Sequence, residues 1–357
     1  MSNSVTPSDF SNDELWMQRC LDLAANGLGN VAPNPLVGCV IIHENKVIGE
    51  SYHQNFGLAH AEVNAINAVK DKRLLSESTV YVNLEPCSHQ GKTPPCSDLL
   101  IRSNVKKVVI GALDANEIVN GAGIKKLKDA GIEVVVNVLK DKCLELNKRF
   151  YTFHNKKRPF YILKWAETKD GFIYSEGKDT GISNELSNQK VHQIRAQEQA
   201  ILIGKNTLLT DNPSLNVRLS EGKNPLRIIV MSEIDEKIKQ QKIFKDGIPT
   251  LIFNTISSSK EQHIEYIKYP TGDFITKLNE VLYSRGIASV LVEGGTTTLN
   301  SFIKSNTWDN IIKITCNQEF NKGVKSPETP FSFDSKSTMG QENNMDVWYK
   351  YVNQNNK

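Results

Sequence analysis

Four residues within a short region, residues 60–96, place the strongest constraint on how this chain folds. The segment HAEVNAINAV contributes His60 and Glu62, and LEPCSHQGKTPPC contributes Cys87 and Cys96, each directly after a proline. The pattern predicts that His60 leads into a short helix, that Glu62 lies in its first turn, and that Cys87 follows a strand. The fold must therefore bring a helix start and a strand end together.

Imidazole and two thiolates are a ligand set that zinc prefers, and three protein ligands leave the fourth tetrahedral position for water. His60, Cys87 and Cys96 are the predicted ligands of one zinc ion per chain. Zinc lowers the pKa of a bound water, and the carboxylate of Glu62 is suited to take that proton and pass it to a leaving group. An H-x-E element followed by P-C is typical of zinc deaminases, although the gap between the two cysteines is longer here.

Two alternatives remain open from these residues. A nucleic-acid base deaminase shares the HAE and PC elements and predicts a basic, aromatic-lined groove, against which the net charge of only +3 counts. A zinc-stabilised binding module predicts four protein ligands, and His89 is near enough in sequence to be the fourth.

The order of strand-like and helix-like segments predicts two α/β domains. The first pattern is β-β-α-β-α-β-α-β and ends near residue 140. The basic segment NKRFYTFHNKKRP is the best boundary, and a second alternation of strands and helices with a largely parallel sheet follows it. The predicted domains are residues 12–154 and residues 155–357. Each is long enough to bury its own hydrophobic core.

The composition indicates an ordinary globular protein, with 39% hydrophobic and 23% charged residues. No apolar run approaches the length of about 20 residues that a bilayer requires. The beginning MSNSVTPSDFSNDELW is polar and lacks the features of a signal peptide. We therefore expect a cytoplasmic protein with reduced cysteines, no membrane or nucleic-acid partner, and a small-molecule substrate.

Three segments of the first half resemble the deaminase half of the bifunctional riboflavin-biosynthesis deaminase–reductases: APNPLVGCVI, GESYHQNFGLAHAEVNAI and LEPCSHQGKTPPC. The resemblance implies a cytidine-deaminase-like α/β/α sandwich in which His60, Cys87 and Cys96 bind zinc and Glu62 shuttles protons. It also implies that the substrate pocket contains four further polar residues, namely Asn34, His53, His89 and Lys92.

No GxGxxG follows a strand in the second half, so the usual dinucleotide fingerprint is absent. The segment SVLVEGGTTTLNSFI instead runs from an apolar strand through two glycines into a hydroxyl-rich helix start, where backbone amides can approach an anion. An ordinary strand–helix turn explains the glycines equally well. Arginines in a cleft, such as Arg195 and Arg218, are natural phosphate partners.

The second half resembles the reductase half of the same family, which is similar to dihydrofolate reductase in fold and uses NADPH. The resemblance implies a catalytic role for Lys164, which would polarise the substrate or donate a proton. It implies that the cofactor contacts Ala166, Thr207, Asp211, Ser232, Gly295, Thr296, Thr297, Thr298, Leu299, Asn300 and Ser301. It implies that the substrate contacts Arg195, Leu215, Arg218 and Glu293. Asp179 and Gly181 depart from common family patterns and receive no role.

The leading hypothesis is a two-step enzyme, and a homo-oligomer is its expected assembly. The first domain would deaminate a diaminopyrimidinone ribosylamino phosphate by zinc-dependent hydrolysis. The second would then transfer hydride from NADPH and reduce the ribosyl group to ribityl.

Overall fold

The structure, a computed structural model, describes residues 11–88, 94–115, 121–177, 181–329, 332–341 and 344–354. The chain forms two compact units, the first ending at Lys156 and the second beginning at Lys157. Both units mix helices with strands, as the sequence predicts. Within the described ranges, none of the helices has the length and apolar character that a membrane-spanning segment needs.

The described part of the first unit is built around one five-stranded sheet. Its helices are α1 (Asn12–Ala25), α2 (Ala61–Ala68), α3 (Cys96–Arg102), α4 (Ala122–Asp129), α5 (Lys140–Leu146) and α6 (Lys148–Lys156), with a 3-10 helix at Lys72–Glu77. Its strands are β1 (Gly38–His43), β2 (Lys46–Tyr52), β3 (Thr79–Leu84), β4 (Lys107–Ala112) and β5 (Glu133–Val135). The strand order is β2-β1-β3-β4-β5; β3, β4 and β5 are parallel, and β1 is antiparallel to both neighbours.

Strand β1 shows how this sheet becomes the middle layer of a sandwich. Successive side chains of a strand point to opposite faces. Cys39 and Ile41 pack with residues of α2 on one face, and Val40 and Ile42 pack with residues of α1 on the other. Gly38 permits the close approach of α1, because a Cβ at this position would overlap the carbonyl group of Cys20.

The second unit contains a larger sheet. Its helices are α7 (Glu185–Gln197), α8 (Lys205–Asp211), α9 (Glu236–Lys239), α10 (Phe274–Ser284) and α11 (Thr296–Lys304), with a 3-10 helix at Lys242–Phe244. Its strands are β6 (Phe160–Thr168), β7 (Phe172–Tyr174), β8 (Ala200–Gly204), β9 (Leu226–Val230), β10 (Thr250–Asn254), β11 (Ser259–Glu261), β12 (Ile264–Lys268), β13 (Ser289–Val292), β14 (Asn310–Cys316), β15 (Val324–Lys325), β16 (Ser335–Gln341) and β17 (Asn344–Val352).

Ten of these strands form one sheet in the order β11-β12-β10-β9-β8-β13-β6-β14-β17-β16. The seven strands from β12 to β14 in this order are mutually parallel. The carboxyl ends of β6, β8, β9 and β13 therefore lie at one edge of the sheet. Ligands of open α/β sheets bind at this edge, in the crevice outside the strand ends.

One predicted strand is shorter in the structure, and the segment predicted to separate the domains, within which the two units divide, is largely helical. The strand expected over IEVVVNVL contains only Glu133–Val135, and Asn137 and Leu139 beyond it have positive φ angles of 68° and 50°. The expected boundary segment forms α6, whose Phe150 and Phe153 are buried. Aromatic side chains spaced by three residues share one helix face, so this basic segment packs as a helix of the first unit.

Candidate active sites

The predicted metal ligands of the first unit lie together. His60 is the N-cap of α2, Cys87 follows β3, and Cys96 is the first residue of α3. The Nδ1 atom of His60 lies 3.6 Å from Sγ of Cys87 and 3.3 Å from Sγ of Cys96. Among the described residues this cluster has three members, and their ligand atoms all lie within 4.8 Å of one another.

Hydrogen bonds within the cluster favour a thiolate at Cys87. The thiol of Cys96 and the ring of His60 donate towards its sulfur, as does the backbone N–H of Cys96 at 3.3 Å, and these contacts lower the pKa of Cys87 to about 4. The contact with Cys87 raises the pKa of His60, and the same neighbour together with burial raises the pKa of Cys96. A bound cation would displace the remaining protons, because the metal ligand is the thiolate.

Glu62 lies in the first turn of α2 and is 3% exposed. Burial and then the nearby Cys87 raise the pKa of Glu62, so its carboxyl group can hold a proton nearer to neutral pH. Its Oε2 atom has no hydrogen-bond partner in the described part of the chain. A His–Cys–Cys donor set beside a buried carboxylate oxygen with unused bonding capacity fits a catalytic zinc ion.

Asn34 and His53 form a hydrogen-bonded pair near this cluster. The Nδ1 atom of His53 lies 3.0 Å from the carbonyl oxygen of Ala59, so it carries the proton and donates it there. Nε2 then accepts a hydrogen bond from the amide nitrogen of Asn34 at 3.1 Å. Burial lowers the pKa of His53, and its ring contacts the ring of His60 edge-on at 5.5 Å between centroids. This contact does not use the carbonyl oxygen of Asn34, which can act as a hydrogen-bond acceptor.

Two buried asparagines fix the backbone beside Asn34. Asn147 accepts from the N–H of Leu36 at 2.7 Å and donates to its carbonyl oxygen at 2.9 Å. Asn83 of β3 donates to the same carbonyl oxygen at 2.9 Å and accepts from the N–H of Gly38 at 2.7 Å. Asn83 stands in the same VYVNLEPC segment as Cys87. The sequence analysis missed both asparagines, because nothing local indicates what their side chains contact.

The remaining predictions for the first unit, His89 and Lys92, lie outside the described residues. Glu85, which was not predicted, accepts hydrogen bonds from backbone N–H groups at the start of α4, including those of Gly121 and Gly123, both at 3.0 Å. This carboxylate ties the EPC segment to α4 and so fixes the backbone that carries Cys87.

The second unit contains a cavity of about 1010 Å³ at the edge of the sheet where the parallel strands end. Predicted cofactor residues line it, namely Ala166, Thr207, Asp211, Ser232, Gly295, Thr296, Thr297, Thr298, Leu299 and Ser301. Lys164 and Glu293 also line it, whereas Asn300 lies on α11 but not among the lining residues. Gly181 is likewise not among them, although its neighbour Ile182 is, and Asp179 lies outside the described residues.

Two glycines let the chain after β13 pack closely against the end of β8 beside this cavity. A Cβ on Gly294 would lie 2.5 Å from the Cα of Ile203, and a Cβ on Gly204 would overlap the hydroxyl group of Thr298. The ends of β8 and β13 can therefore approach closely only without side chains here. Gly295, with a φ of 23°, leads into α11. The N–H groups at the start of this helix favour an anion, so the backbone fits a cofactor that carries phosphates.

Three charged side chains meet between the cavity and α7. Glu293 accepts two hydrogen bonds from Arg195, at 2.9 and 2.7 Å, and its Oε2 lies 3.7 Å from Nζ of Lys164. Burial alone would raise the pKa of Glu293, but the charges of Lys164 and Arg195 outweigh burial and lower it to about 2. Burial lowers the pKa of Lys164, which makes its ammonium group a stronger acid.

A second cavity of about 410 Å³ contains the predicted substrate residues Arg195, Leu215 and Arg218. Asp211 borders both cavities. Lys242, which was not predicted, also lines the smaller cavity, and its backbone N–H donates to the side chain of Asn212 at 2.9 Å. Only the tertiary fold brings the segment that contains Lys242 to this position.

His192 is another polar residue that the sequence analysis missed. It is buried on α7 and contacts both arginines of the smaller cavity. Its spacing of three residues from Arg195 places both on one helix face, and this was the signal available in the sequence.

Two known domain families match the chain. Residues 10–112 match the cytidine and deoxycytidylate deaminase zinc-binding region, and residues 159–315 match the RibD C-terminal domain. The chain is 36% identical over 306 residues to riboflavin biosynthesis protein RibD of Aquifex aeolicus, with 84% of this chain and 85% of the relative covered. It is 39% identical over 307 residues to RibD of Actinobacillus pleuropneumoniae, with 81% and 80% covered.

Solved structures agree with these relatives. The diaminohydroxyphosphoribosylaminopyrimidine deaminase/5-amino-6-(5-phosphoribosylamino)uracil reductase of Thermotoga maritima superimposes with a TM-score of 0.83 at 34% identity, covering 96% of this chain and 99% of that chain. RibD of Acinetobacter baumannii superimposes with a TM-score of 0.82 at 28% identity, covering 95% of this chain and 98% of that chain.

Proposed function

The chain belongs to the RibD family of riboflavin biosynthesis proteins, and from this premise we propose the substrates and residue roles of its two active sites. It is a bifunctional enzyme with a zinc-dependent, cytidine-deaminase-like unit followed by an NADPH-dependent reductase unit. The predictions of the fold class, both activities and both cofactors are therefore confirmed. Similarity along most of the chain favours this reading over a nucleic-acid base deaminase with an accessory domain.

The proposed first substrate is 2,5-diamino-6-(5-phosphoribosylamino)pyrimidin-4(3H)-one, which loses ammonia by hydrolysis. The proposed second substrate is the deaminated product, whose ribosyl group NADPH reduces to ribityl. The name of the Thermotoga maritima enzyme, which describes both reactions, supports this order. We assign the first step to residues 12–154 and the second to residues 155–357, close to the division between the two compact units. A cytoplasmic location and a homo-oligomer remain predictions.

In the deaminase site, His60, Cys87 and Cys96 would hold the zinc ion, which when bound supplies a Lewis acid that activates water. Glu62 would take a proton from the attacking water and pass it to the departing amine. The raised pKa of Glu62 supports this role. Asn34, oriented by His53, offers its carbonyl oxygen to an N–H group of the pyrimidine. His89 and Lys92 are proposed as further substrate contacts.

In the reductase site, the larger cavity would hold NADPH against the predicted lining residues and the start of α11. In the smaller cavity, Arg195 and Arg218 would bind the substrate phosphate, and Lys242 would contribute a third positive charge. Leu215 also lines this cavity. Lys164 would donate a proton to the ring oxygen of the sugar as the bond between that oxygen and the anomeric carbon breaks, and NADPH when bound would supply hydride to the same carbon. Glu293 would hold Lys164 in place. Positioning supplies most of the remaining catalysis.

One observation supports this proposal: in each unit, the described residues predicted for the central chemistry lie near one another. The zinc ligands adjoin Glu62, and the cofactor residues adjoin the Lys164–Glu293 pair. The test supplies the diaminopyrimidinone substrate to the zinc-loaded full chain and follows ammonia and NADPH oxidation together. We expect ammonia first and then an equal total of oxidised NADPH.

Ammonia without NADPH oxidation would refute the reductase assignment, and oxidation before any ammonia would refute the proposed order. A parallel assay with single-stranded RNA and with single-stranded DNA should release no ammonia. Release from either polymer at a comparable rate would favour the nucleic-acid deaminase instead.

A further inference from the structure

We propose that His192 is a positioning residue of the reductase site, which holds the loop of Arg218 beside the side chain of Arg195 so that both guanidinium groups face the substrate phosphate. This inference depends on the proposed reductase function and assigns a role to a side chain that lies behind the cavity rather than in its lining. Three observations support it: the contacts of the ring, its protonation state and the way in which the loop is anchored.

His192 lies on α7 and is 3% exposed. Its Nδ1 atom accepts a hydrogen bond from the backbone N–H of Arg218 at 3.1 Å. Its Nε2 atom lies 3.4 Å from Nη1 of Arg195. One buried ring therefore contacts the two arginines that line the smaller cavity, one through its backbone and the other through its guanidinium group.

The two contacts fix the tautomer of the ring. A neutral imidazole has one nitrogen that accepts and one that donates, and a guanidinium group can only donate. Because Nδ1 accepts from Arg218, Nε2 carries the proton, and the contact with Arg195 joins two donors. The ring therefore acts as a spacer that takes no hydrogen bond from Arg195. The guanidinium group keeps its bonds to Glu293 and to the carbonyl oxygen of Asn216, at 3.3 Å.

The charged groups around His192 keep the ring neutral. Burial is the largest cause, and the positive charges of Arg195 on the same helix, Arg218 on the loop and Lys164 on β6 act in the same direction. Glu293, which follows β13, opposes them. The result is a pKa of about 4 for His192. Nδ1 therefore remains an acceptor throughout the neutral pH range, whereas a protonated ring would release Arg218.

The loop that carries Arg218 is anchored at several points. His192 holds the N–H of Arg218, Arg195 holds the carbonyl oxygen of Asn216, and the side chain of Asn224 accepts from the N–H of Val217 at 2.8 Å. His192 supplies the anchor at the arginine itself. Removing its acceptor would leave the N–H of Arg218 without this partner and allow the guanidinium group to move from the phosphate.

Three substitutions separate the functions of the two ring nitrogens. His192→Asn keeps an acceptor at about the reach of Nδ1, His192→Gln places its amide at about the reach of Nε2, and His192→Leu keeps bulk without polar atoms. For the full chain acting on 5-amino-6-(5-phosphoribosylamino)uracil, we expect Leu and Gln to raise KM by up to about tenfold, the loss expected when the hydrogen bond that orders Arg218 is removed. Asn should retain the KM of the unmodified protein. Gln189→Leu, on an exposed position of the same helix, is the matched control.

The readouts distinguish positioning from general damage. In the Leu and Gln variants kcat, NADPH affinity and ammonia release should be unchanged, because the phosphate contact alone is altered. The ratio of KM between His192→Asn and the unmodified protein should stay constant from about pH 5.5 to 8, because neither side chain titrates there. The substrate phosphate ionises in the same pH range and changes the KM of both proteins alike. Taking the ratio of the two KM values therefore cancels its effect.

An unchanged KM in His192→Leu would overturn the proposal. So would an Asn variant as impaired as the Leu variant, or an equal loss of NADPH affinity in the Leu variant. If the unmodified chain does not reduce this substrate with NADPH at all, the proposed reductase function fails instead, so the two failures are distinguishable.

Discussion

The two active sites of this chain are assembled from very different lengths of sequence. The zinc cluster and Glu62 come from residues 60–96, where short motifs carry every predicted metal ligand. The reductase cavities draw their predicted residues from positions 164–301, which meet because parallel strands end at one edge of a sheet. A compact motif concentrates chemistry in few side chains, whereas a site at the edge of a sheet distributes binding over many. Substitutions should therefore have larger effects in the first site than in the second.

The largest expected effect is that of Glu62→Ala on deamination. Loss of the proton shuttle should lower ammonia release by about 10²–10⁴-fold. Zinc content, measured by mass spectrometry of the metal, should stay at one ion per chain, and reduction of the deaminated substrate should continue. Glu77→Ala, at an exposed glutamate of the same unit, is the control. Substantial ammonia release from the Glu62 variant would show that another group moves the proton.

Glu293→Gln should have the largest effect in the second unit. It leaves the buried cations Lys164 and Arg195 without their carboxylate, which costs roughly 3–5 kcal/mol in the free energy of unfolding. NADPH oxidation should also fall, because Lys164 loses its partner. Urea unfolding of the full chain, followed by a probe specific to the second unit, measures the first effect. Equal stability of the variant and the unmodified protein would contradict the importance of this cluster.

The same carboxylate predicts a pH dependence. The pKa of Glu293 is lowered to about 2 in the folded state, against about 4.3 for an unperturbed glutamate. Its contribution to stability is therefore complete above the unfolded value and is lost as the pH falls towards 2. Unfolding experiments at several pH values should show a smaller loss of stability below about pH 4.3 in Glu293→Gln than in the unmodified protein. Identical slopes would mean that other groups control the acid sensitivity.

A smaller and more selective effect is expected from Gly294→Ala. The added Cβ would meet the backbone of Ile203, and overpacking of this kind costs about 1–3 kcal/mol. Gly247→Ala is a useful comparison, because its Cβ has open space and its cost of roughly 1–2 kcal/mol comes from positive φ alone. Both variants should lose stability, but only Gly294→Ala should bind NADPH more weakly in a fluorescence titration. Equal NADPH affinity in the two variants would show that the packing of Gly294 against Ile203 does not position Gly295 and the start of α11 for the cofactor.

The smallest expected effect is that of Lys242→Gln. Its exposed side chain should add a screened attraction for the substrate phosphate, so we expect KM of the reductase step to rise about two- to fivefold at low salt and less at high salt. Lys245→Gln changes a nearby exposed lysine outside the cavity and should have little effect. If both variants raise KM equally, the effect is one of overall charge rather than of this cavity.

The sequence was sufficient for the architecture and for the residues that its motifs contain. The alternation of strands and helices predicted two α/β domains, and resemblance to the family added the cytidine-deaminase-like and reductase folds, which the comparisons confirm. The cluster of His60, Cys87 and Cys96 was predicted from ligand chemistry and spacing. No motif was identified beyond residue 320, yet this part of the chain adds β17 and β16 to the large sheet. Strand pairing at this edge depends on β14, which lies earlier in the chain.

The contacts that prepare the sites could not be predicted from local patterns. Asn83 and Asn147 hold the backbone of Leu36 from positions 47 and 111 residues away. His192 contacts a backbone N–H that lies 26 residues further along the chain. The sequence alone does not show whether a polar residue in a helix or strand lies at the surface or in the core, because its location depends on the partner that it contacts. The chemical groups of the sites are therefore easier to predict than the residues that orient them.

The arrangement around Asp211 and Glu293 has a consequence for inhibitor design. Asp211 borders both cavities of the second unit, and Glu293 lines the larger cavity while its carboxylate holds Arg195 of the smaller one. A single molecule that carries a flat ring for the larger cavity and a phosphonate for the smaller one would engage both through one short linker. Its second contact would form at a high effective concentration. The shared wall, rather than either cavity alone, is the part of this enzyme that such a compound should address.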